Sequence, residues 1–368
     1  MKIIVAQQKH CVIFFLKKYK NYYVLAQKLW NFAKIYFFCK AQYAKIWSMI
    51  ALIIVSSVLA LLIVTFVWWY FGGSTGELKK AKKEFLIPGL DDGFVPQGIV
   101  YLSCYKKFLI SGYMQDHSLS RVYVVSSQTG EAEKFVTFVL PSGVGYFGHA
   151  GGIAGNCNDC YLSSEGKIFH FFASDVFAST NGVVKIADVL ETKNGADFCY
   201  VSGGYLFVGE FYKLAKFKTD VSHHIKLSDK EINHSLVFGF KLKEGEKFGL
   251  ASSVPEKAIS IPDLVQGMVI SGKRIFVSRS YGVARSELLT YENVLLQKTQ
   301  NYVYFGENQV PLFVLSSKNL QKTRYLPEMA EEIELFDGKL YVVFESASKK
   351  YKLFTRTRIN YVFSFDLD

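Results

Sequence analysis

The sequence predicts an all-β globular domain that follows a single transmembrane α-helix, and three observations support this prediction. A run of 24 apolar and uncharged residues, 48–71, lies near the N-terminus. After residue 84, short segments rich in β-branched and aromatic residues alternate with turns rich in Gly, Asn, Asp and Ser, which is typical of strands. A longer phrase built from such segments around a proline recurs along the remaining 284 residues, 85–368.

The predicted transmembrane helix covers residues 48–71, and no charged residue occurs from Ile46 to Gly76. At ~1.5 Å per residue this run spans about 36 Å, more than a hydrocarbon layer of about 30 Å. The run ends in Trp68–Tyr70, and such amphipathic rings favour the headgroup level. Because no small-x-small cleavage site follows, we expect a retained signal-anchor rather than a removed signal peptide.

Charge predicts the orientation of this helix. Residues 1–47 contain nine Lys and no acidic residue, whereas residues 77–84 contain four Lys and two Glu. The more basic flank stays cytoplasmic, so we expect a single-pass protein of the cell membrane whose C-terminal domain is extracellular. The two segments supply +9 and +2 of the net charge of +11, which leaves 30 basic and 30 acidic residues in 85–368. This neutral domain argues against nucleic acid as a partner and leaves membrane lipid as the partner of 48–71.

The predicted domain boundaries follow from these segments. Residues 1–47 form a basic, aromatic-rich cytoplasmic segment, 48–71 the transmembrane helix, 72–83 a linker and 84–368 the β ectodomain. Two interpretations of 1–47 remain open. The segment is either a basic amphipathic helix on the inner leaflet, or an over-extended gene start with the true protein beginning near Met49.

The recurring phrase predicts the architecture of the ectodomain. It consists of an apolar strand ending near a proline, a polar loop, an inner strand, a tight turn and a second strand, and most copies are followed by a third strand. The prolines that occupy the matching place are Pro88, Pro141, Pro262 and Pro327. Repeated four-stranded units predict a β-propeller, with five blades, or six if the stretch 212–262 hides another. The insertions 212–234 and 294–309 would account for units longer than usual.

The two ends of the ectodomain predict how the ring closes. The chain ends on a third strand, YVFSFDLD, with no outer strand after it. The first β segment, Glu84–Pro88, is an outer strand with no earlier blade to join. We therefore expect the N-terminal strand to complete the last blade, which also removes two exposed sheet edges.

Six cysteines are present, and Cys104, Cys157, Cys160 and Cys199 fall in the ectodomain, where disulfides are allowed. Cys157 and Cys160 form a C-x-x-C within a turn. No second such pair completes a zinc site, and the expected strand-to-strand turn is unlike the helix start of a redox motif. Structural thiols and a turn disulfide remain the two alternatives.

Several phrases carry a resemblance to known proteins. VPQGI, GHAGGIA, YLFVGEFY, VQGMV and VFESASKKY resemble secreted or membrane-anchored bacterial β-propellers, distantly related to gluconolactonase-like and strictosidine-synthase-like proteins. The resemblance covers roughly residues 85–368. It implies the fold and hardly a reaction, because the group is largely without assigned activity. In the fifth unit Glu332 stands where the pattern has glycine.

Propeller geometry locates a candidate site. Because inner and second strands are antiparallel, the starts of the former and the ends of the latter lie on one face near the axis. This places a polar, carboxylate-rich ring at the channel mouth, and we predict it to bind ligand through Gln97, His149, Asp197, Glu210, Gln266, Arg279, Glu331 and Glu345. Converging carboxylates of this kind raise one another's pKa or hold a divalent cation such as calcium.

Two functions follow from such a mouth. The first is an extracellular module that binds a small molecule or carbohydrate, or acts as an interaction module, at the channel mouth. The alternative, implied by the resemblance, is a metal-assisted hydrolase or lactonase of the gluconolactonase-like type. The ligand pattern of those enzymes has no residue-by-residue match here, so the sequence assigns neither catalytic residues nor metal ligands. It also contains no G-x-S-x-G, no P-loop and no G-x-G-x-x-G fingerprint after a strand.

Overall fold

A computed structural model describes the backbone of residues 2–71, 76–228 and 230–367, and the side chains of these residues except 2–23 and 68–71. The chain divides into two compact units, 1–72 and 73–368. The first is a continuous helix, α1 (Lys2–Phe71). Its part from Val24 to Val67 is long and apolar enough to cross a membrane once, and it is equally compatible with an N-terminal signal sequence. The side chains of the predicted interfacial residues Trp68–Tyr70, and residues 72–75 of the predicted linker, lie outside the described residues.

The second unit is built from strands. Among the described residues these are β1 (Lys82–Leu86), β2 (Phe94–Leu102), β3 (Lys107–Met114), β4 (Arg121–Ser126), β5 (Ala132–Val139), β6 (Gly152–Gly155), β7 (Asp159–Ser164), β8 (Lys167–Phe172), β9 (Val183–Lys185), β10 (Asp188–Glu191), β11 (Phe198–Ser202), β12 (Tyr205–Gly209), β13 (Ile225–Lys226), β14 (Ile232–Asn233), β15 (Ser235–Lys241), β16 (Lys257–Ile261), β17 (Val265–Ser271), β18 (Arg274–Arg279), β19 (Arg285–Glu292), β20 (Tyr302–Phe305), β21 (Asn308–Val314), β22 (Leu320–Glu328), β23 (Ala330–Phe336), β24 (Lys339–Phe344) and β25 (Tyr361–Asp366). Short helices occur at α2 (Ala173–Ala178) and, as 3-10 turns, at Leu90–Asp92, Val221–His223, Lys247–Gly249 and Val294–Leu296.

These strands form a five-bladed β-propeller within the described residues. From the axis outward, blade 1 is β2-β3-β4-β5, blade 2 is β6-β7-β8-β10 and blade 3 is β11-β12-β15-β16. Blade 4 is β17-β18-β19-β22, and blade 5 is β23-β24-β25-β1. The inner strands β2, β6, β11, β17 and β23 neighbour one another around the axis. The all-β propeller predicted from the repeat is thereby confirmed.

The predicted closure is also confirmed. Strand β1 pairs antiparallel with β25, with Phe85 opposite Val362 and Leu86 opposite Tyr361. The fifth blade therefore takes three strands from the C-terminal end of the chain and its outer strand from the start of the domain. Phe85 is 6% exposed and belongs to the core between blades 5 and 1.

The six-bladed alternative is wrong. The stretch 212–262 contains the short ribbon β13-β14 and then β15 and β16, which are the third and outer strands of blade 3. The hairpin β20-β21 pairs with that same blade, because β21 runs parallel to β16 with Ile259 opposite Phe313. This hairpin lies between β19 and β22 in sequence, so an insertion in blade 4 widens blade 3.

Prolines end the outer strands, as the repeat predicts. Pro88 and Pro141 each lie two residues beyond β1 and β5, and Pro262 follows β16 directly. Pro327 is the penultimate residue of β22. Since proline donates no backbone hydrogen bond and fixes φ, it suits the exit from an outer strand.

The core lies between adjacent blades rather than along the axis. Phe138 of blade 1 packs on Phe171 of blade 2, with ring centroids 4.8 Å apart. Phe198 is fully buried between blades 3 and 4, and Phe276 and Phe344 are fully buried between blades 4 and 5. Alternating apolar side chains on each face of a strand allow a blade to pack on both of its neighbours.

A disulfide joins blades 1 and 2 on the face opposite the inner-strand starts. Cys104, in the turn after β2, bonds Cys157, in the turn after β6. Cys160 of β7 and Cys199 of β11 are buried free thiols. Thus no disulfide forms within the C-x-x-C: one of its cysteines bonds outside the motif, and the other is a structural thiol.

Candidate functional site

The face of the propeller at the inner-strand starts, called here the mouth face, carries all eight predicted site residues. It also carries two long loops: 210–234, between β12 and β15, and 345–360, between β24 and β25. The structure divides the eight residues among three places. Gln97, His149, Glu331 and Glu345 gather near the axis, Asp197 and Glu210 lie at a cavity under the first loop, and Gln266 and Arg279 belong to blade 4.

The first place is a buried acid pair, formed by Glu331 and Glu345 of blade 5. The two carboxyl groups hydrogen-bond each other. Gln97 Nε2 donates to Glu345 Oε2 at 3.0 Å and to the Pro96 carbonyl at 2.8 Å. Glu331 is 4% exposed and Gln97 is 5% exposed. The amide of blade 1 therefore holds the acid pair of blade 5 in place.

Burial sets the protonation of this pair. Desolvation, then the charge of the other carboxyl group, raises the pKa of Glu331 well above its usual value. Desolvation raises the pKa of Glu345 to about 7, although the Gln97 amide and the nearby Lys350 ammonium act in the opposite direction. The pair therefore shares a proton near neutral pH, with Glu331 as its donor.

Lys350 covers the acid pair from the loop 345–360. Its Nζ donates to Tyr113 Oη at 2.6 Å and lies 4.6 Å from the Tyr113 ring centroid and 4.9 Å from that of Tyr351. The Tyr113 ring also stacks on His149, with centroids 4.7 Å apart. Although His149 is an exposed residue, its ring is partly desolvated. This desolvation, and secondarily the charge of Lys350, lowers the pKa of His149. The ammonium group of Lys350 therefore lies at the mouth, close to the rings of Tyr113 and Tyr351.

Below the acid pair, Glu332 fills the axis. Its Oε2 accepts from the backbone N–H of Ile99 at 2.9 Å and of Ile153 at 3.0 Å, and its Oε1 accepts from that of Cys199 at 3.3 Å. These donors belong to the inner strands of blades 1, 2 and 3. The single carboxyl group of Glu332 therefore joins these three blades to blade 5. Desolvation raises the pKa of Glu332, and the three N–H groups partly offset it.

Glycines make room for this side chain. A Cβ on Gly98 would lie 2.8 Å from Glu332 Oε2, and one on Gly152 would lie 2.7 Å from Oε1. A Cβ on Gly267 would lie 2.8 Å from the Glu332 Cα. Three of the five inner strands, β2, β6 and β17, thus have a glycine where β23 has Glu332, and these glycines leave space for the glutamate side chain.

The second place is a cavity of about 460 Å³ beside the axis, under the loop 210–234. Glu210, 1% exposed, accepts at Oε1 from His223 Nδ1 at 2.8 Å and from the Leu236 N–H at 2.9 Å. Its Oε2 accepts from the Gly195 N–H at 3.3 Å. With Nδ1 as the donor to Glu210, the second ring nitrogen of His223, Nε2, is left for other partners.

Asp197 lies in the same cavity. Its Oδ2 accepts from the Phe211 N–H at 2.6 Å. Desolvation, and secondarily the charge of Glu210, raise the pKa of Asp197 to about 7, against the effect of the Phe211 N–H. A carboxyl group that titrates near neutrality beside a carboxylate-bound histidine is able to accept and donate protons.

The third place lies in blade 4, apart from the other two. Arg279 Nε donates to the Asp263 carbonyl at 2.8 Å, and its Nη1 forms an ion pair of 2.8 Å with Glu287 Oε2. Gln266 is half-buried at the start of β17, next to the axial glycine of its blade. Neither residue reaches the cavity lining.

Sequence reasoning missed four residues of these places: His223, Glu332, Lys350 and Tyr351. His223, Lys350 and Tyr351 lie in the loops 210–234 and 345–360, whose paths have no sequence signal. Only Glu332 carried a signal, as the residue that broke the glycine pattern. Within the described residues, no three His, Cys, Asp or Glu side chains gather as metal ligands.

Comparisons with known proteins show likeness of fold alone. No protein-family model matches this chain, and no curated protein matches it either. Glutaminyl cyclase from Myxococcus xanthus is similar in structure, with 11% identity and a TM-score of 0.40, over 72% of this chain and 90% of that one. BamB from Moraxella catarrhalis has 7% identity and a TM-score of 0.33, over 74% and 83%. A nidogen/laminin complex has 9% identity and a TM-score of 0.35, over 68% and 73%. These neighbours are β-propeller-like proteins.

Proposed function

We propose that this protein is a membrane-anchored binding module that takes a small polar ligand in the cavity at its mouth face. The observation that carries the proposal is the cavity itself. Its volume of about 460 Å³ lies within the ~300–1,000 Å³ typical of small-molecule sites. Three buried polar residues line it: Asn194 from the loop before β11, Glu210 directly after β12, and His223 from the loop before β15.

The placement of the module is part of the proposal. Charge asymmetry around 48–71 favours an N-terminus in the cytoplasm and the propeller outside. The Cys104–Cys157 disulfide supports this placement, since such bonds persist in oxidising compartments. The basic segment 1–47 would then lie against anionic lipid of the inner leaflet.

A second candidate, a hydrolase, is favoured by the Glu210–His223 pair. A histidine held by a carboxylate, beside Asp197 with a pKa near 7, is an arrangement suited to general acid–base catalysis. The resemblance to gluconolactonase-like propellers makes lactones the substrates to test. If the protein is a lactone hydrolase, His223 Nε2 would take a proton from the attacking water, and Asp197 would protonate the ring oxygen of the lactone as it leaves.

Thermal unfolding of the full-length chain in neutral detergent tests the binding function. We expect a set of sugars and sugar lactones to contain members that raise the unfolding temperature, and Asp197→Asn to remove that rise. The matched control is Asp337→Asn, on the opposite face. If no member stabilises the protein, or if Asp197→Asn leaves the stabilisation intact, the binding proposal is wrong.

Acid release from lactones separates the two candidates. For a hydrolase, the wild type acidifies an unbuffered lactone solution and His223→Ala does not. For a binding module, lactones stabilise the protein without being opened.

A further inference from the structure

We propose that the ligand of this cavity is an acidic sugar, whose hydroxyl groups meet the acceptor-rich floor and whose carboxylate meets lysines at the rim. This inference rests on the proposed function and names the ligand class of the same site. It follows from four features of the cavity: its floor, its wall, its rim and its size.

The floor offers acceptors. Asn194, 8% exposed, donates its Nδ2 to the Val208 carbonyl at 3.0 Å, while its buried Oδ1 has no hydrogen-bond partner among the described residues. Asp197 Oδ2 binds one backbone N–H, and its carboxyl group has a second oxygen. The second oxygen of Asp197 can accept from a donor on a ligand. Hydroxyl groups supply such donors and can also accept from a protonated Asp197.

The wall is aromatic. Phe211 and Phe217 both line the cavity, with ring centroids 5.5 Å apart and planes at 80°. Phe217 is 44% exposed, although it is a large apolar side chain. The C–H face of a sugar ring is apolar, so a sugar would cover this ring while its edge reaches the floor.

The rim is basic. Lys193, Lys216 and Lys218 line the cavity, and in the described part of the chain none of the three forms an ion pair. The one exposed acid in the lining, Asp220, instead caps a 3-10 turn by accepting from the Ser222 N–H and hydroxyl. Lysine ammonium groups of this kind suit a carboxylate on the ligand.

The size selects a monosaccharide or disaccharide over a larger chain. A cavity of about 460 Å³ has room for one or two sugar rings. The polar groups at the floor favour hydroxyl groups on the ligand, and the lysines at the rim favour a separate anionic group. Inorganic phosphate has no such division, and a neutral sugar leaves the rim unpaired.

Isothermal titration of the full-length chain in neutral detergent tests the inference. The probes are glucuronate, galacturonate and mannuronate, each compared with its neutral parent hexose, and inorganic phosphate. We expect at least one uronate to bind about tenfold tighter than its parent hexose, with phosphate weaker than both, because a carboxylate adds charge-assisted hydrogen bonds. The preference should shrink as salt is raised.

Two sets of variants locate the effect. The double variant Lys216→Ala/Lys218→Ala should bring the uronate affinity down to that of the hexose measured with the same variant, so that the preference for the uronate is lost. Asp197→Asn should weaken both sugars. The matched control, Lys318→Ala, removes an exposed lysine on the opposite face and should leave the preference intact.

The outcomes separate this inference from the proposed function. If hexoses bind and depend on Asp197 but no uronate binds tighter, the cavity is a sugar site and the acidic-sugar inference is wrong. If the uronate preference survives the double lysine variant, the rim assignment is wrong. If neither any sugar nor any lactone binds, the proposed function fails together with the inference.

Discussion

At the scale of single residues, Glu332 has the most unusual environment. It stands at the position where three of the four other inner strands have glycine, and its carboxyl group accepts from backbone N–H groups of three blades. A buried N–H without an acceptor costs about 1–3 kcal/mol, so one side chain satisfies groups whose combined cost approaches the stability of a domain. The glutamate is therefore a structural centre of the ring rather than a ligand of the mouth.

We predict that Glu332→Ala lowers the free energy of unfolding by at least about 3 kcal/mol, because three buried N–H groups lose their acceptor. Glu332→Gln should cost less, since its amide oxygen retains part of the acceptance. Urea unfolding of the full-length chain measures both. Glu307→Ala, at an exposed position of the β20-β21 hairpin, is the control and should change stability by less than about 0.5 kcal/mol.

The acid pair predicts a pH dependence of stability. The pKa of Glu345 is raised in the folded state to about 7, so the folded protein binds more protons than the unfolded chain. This contribution is fully present below the unfolded pKa and is lost as the pH rises through about 7. Asp197 and Glu331 act in the same direction, whereas the lowered pKa of His149 reduces stability below about pH 6.5.

We expect the unfolding free energy of the wild type to fall between pH 5 and pH 8, and Glu345→Gln to flatten part of that fall. The flattening amounts to about 1.4 kcal/mol for each unit by which the pKa is raised. Lys350→Gln should move the decrease in unfolding free energy to higher pH, because it removes the ammonium group that stabilises the charged form of the acid pair. Urea unfolding at four pH values gives the profiles. Parallel profiles for the wild type and Glu345→Gln would contradict the shared proton.

At the scale of elements, strand ends position the candidate site residues. Each inner strand begins, and each second strand ends, on the mouth face, so five short segments bring polar side chains together without any long helix. The loops 210–234 and 345–360 then add His223 and Lys350 from above. Rigid strands position the acids, while the loops supply the groups that pair with them.

The sequence predicts the strand-borne part of this site and misses the loop-borne part for a physical reason. Strand order follows from a repeat with prolines in matching places, which places Asp197, Glu210 and Glu345 at strand ends. The path of a loop of 15 residues or more depends on contacts distant in sequence, which leave no local pattern. The same reason explains the six-blade alternative, because the long loop 210–234, with its short β13-β14 ribbon, left room for a further blade in the stretch 212–262.

The disulfide links two blades, so we predict that its reduction lowers the stability of the fold. Cys104 and Cys157 are 53 residues apart in sequence, and their bond links the turns of blades 1 and 2. Reduction should lower the unfolding free energy by about 2–4 kcal/mol, chiefly through the freedom gained by the unfolded chain. Thermal unfolding with and without dithiothreitol measures this. Cys104→Ser/Cys157→Ser should lose the response, whereas Cys160→Ser should keep it.

At the scale of the whole molecule, β1 decides whether the ring is closed. It pairs with β25, and with it come Phe85 and Ile87, which are 6% and 4% exposed in the core between blades 5 and 1. Without β1, the outer edge of β25 is unpaired and that core is open to water. An exposed apolar edge strand favours association with other chains.

We therefore predict that the fragment 77–368 folds as a monomer with cooperative thermal unfolding, whereas 90–368, which lacks β1, aggregates or unfolds at much lower temperature. Circular dichroism and size-exclusion chromatography distinguish the two results.

Single substitutions in the full-length chain test the same closure without removing β1. Phe85→Ala should cost about 3–5 kcal/mol and the matched Leu86→Ala, at a 53% exposed position of the same strand, less than 1 kcal/mol. Equal stability of the two fragments would mean that the ring holds by its inner strands alone.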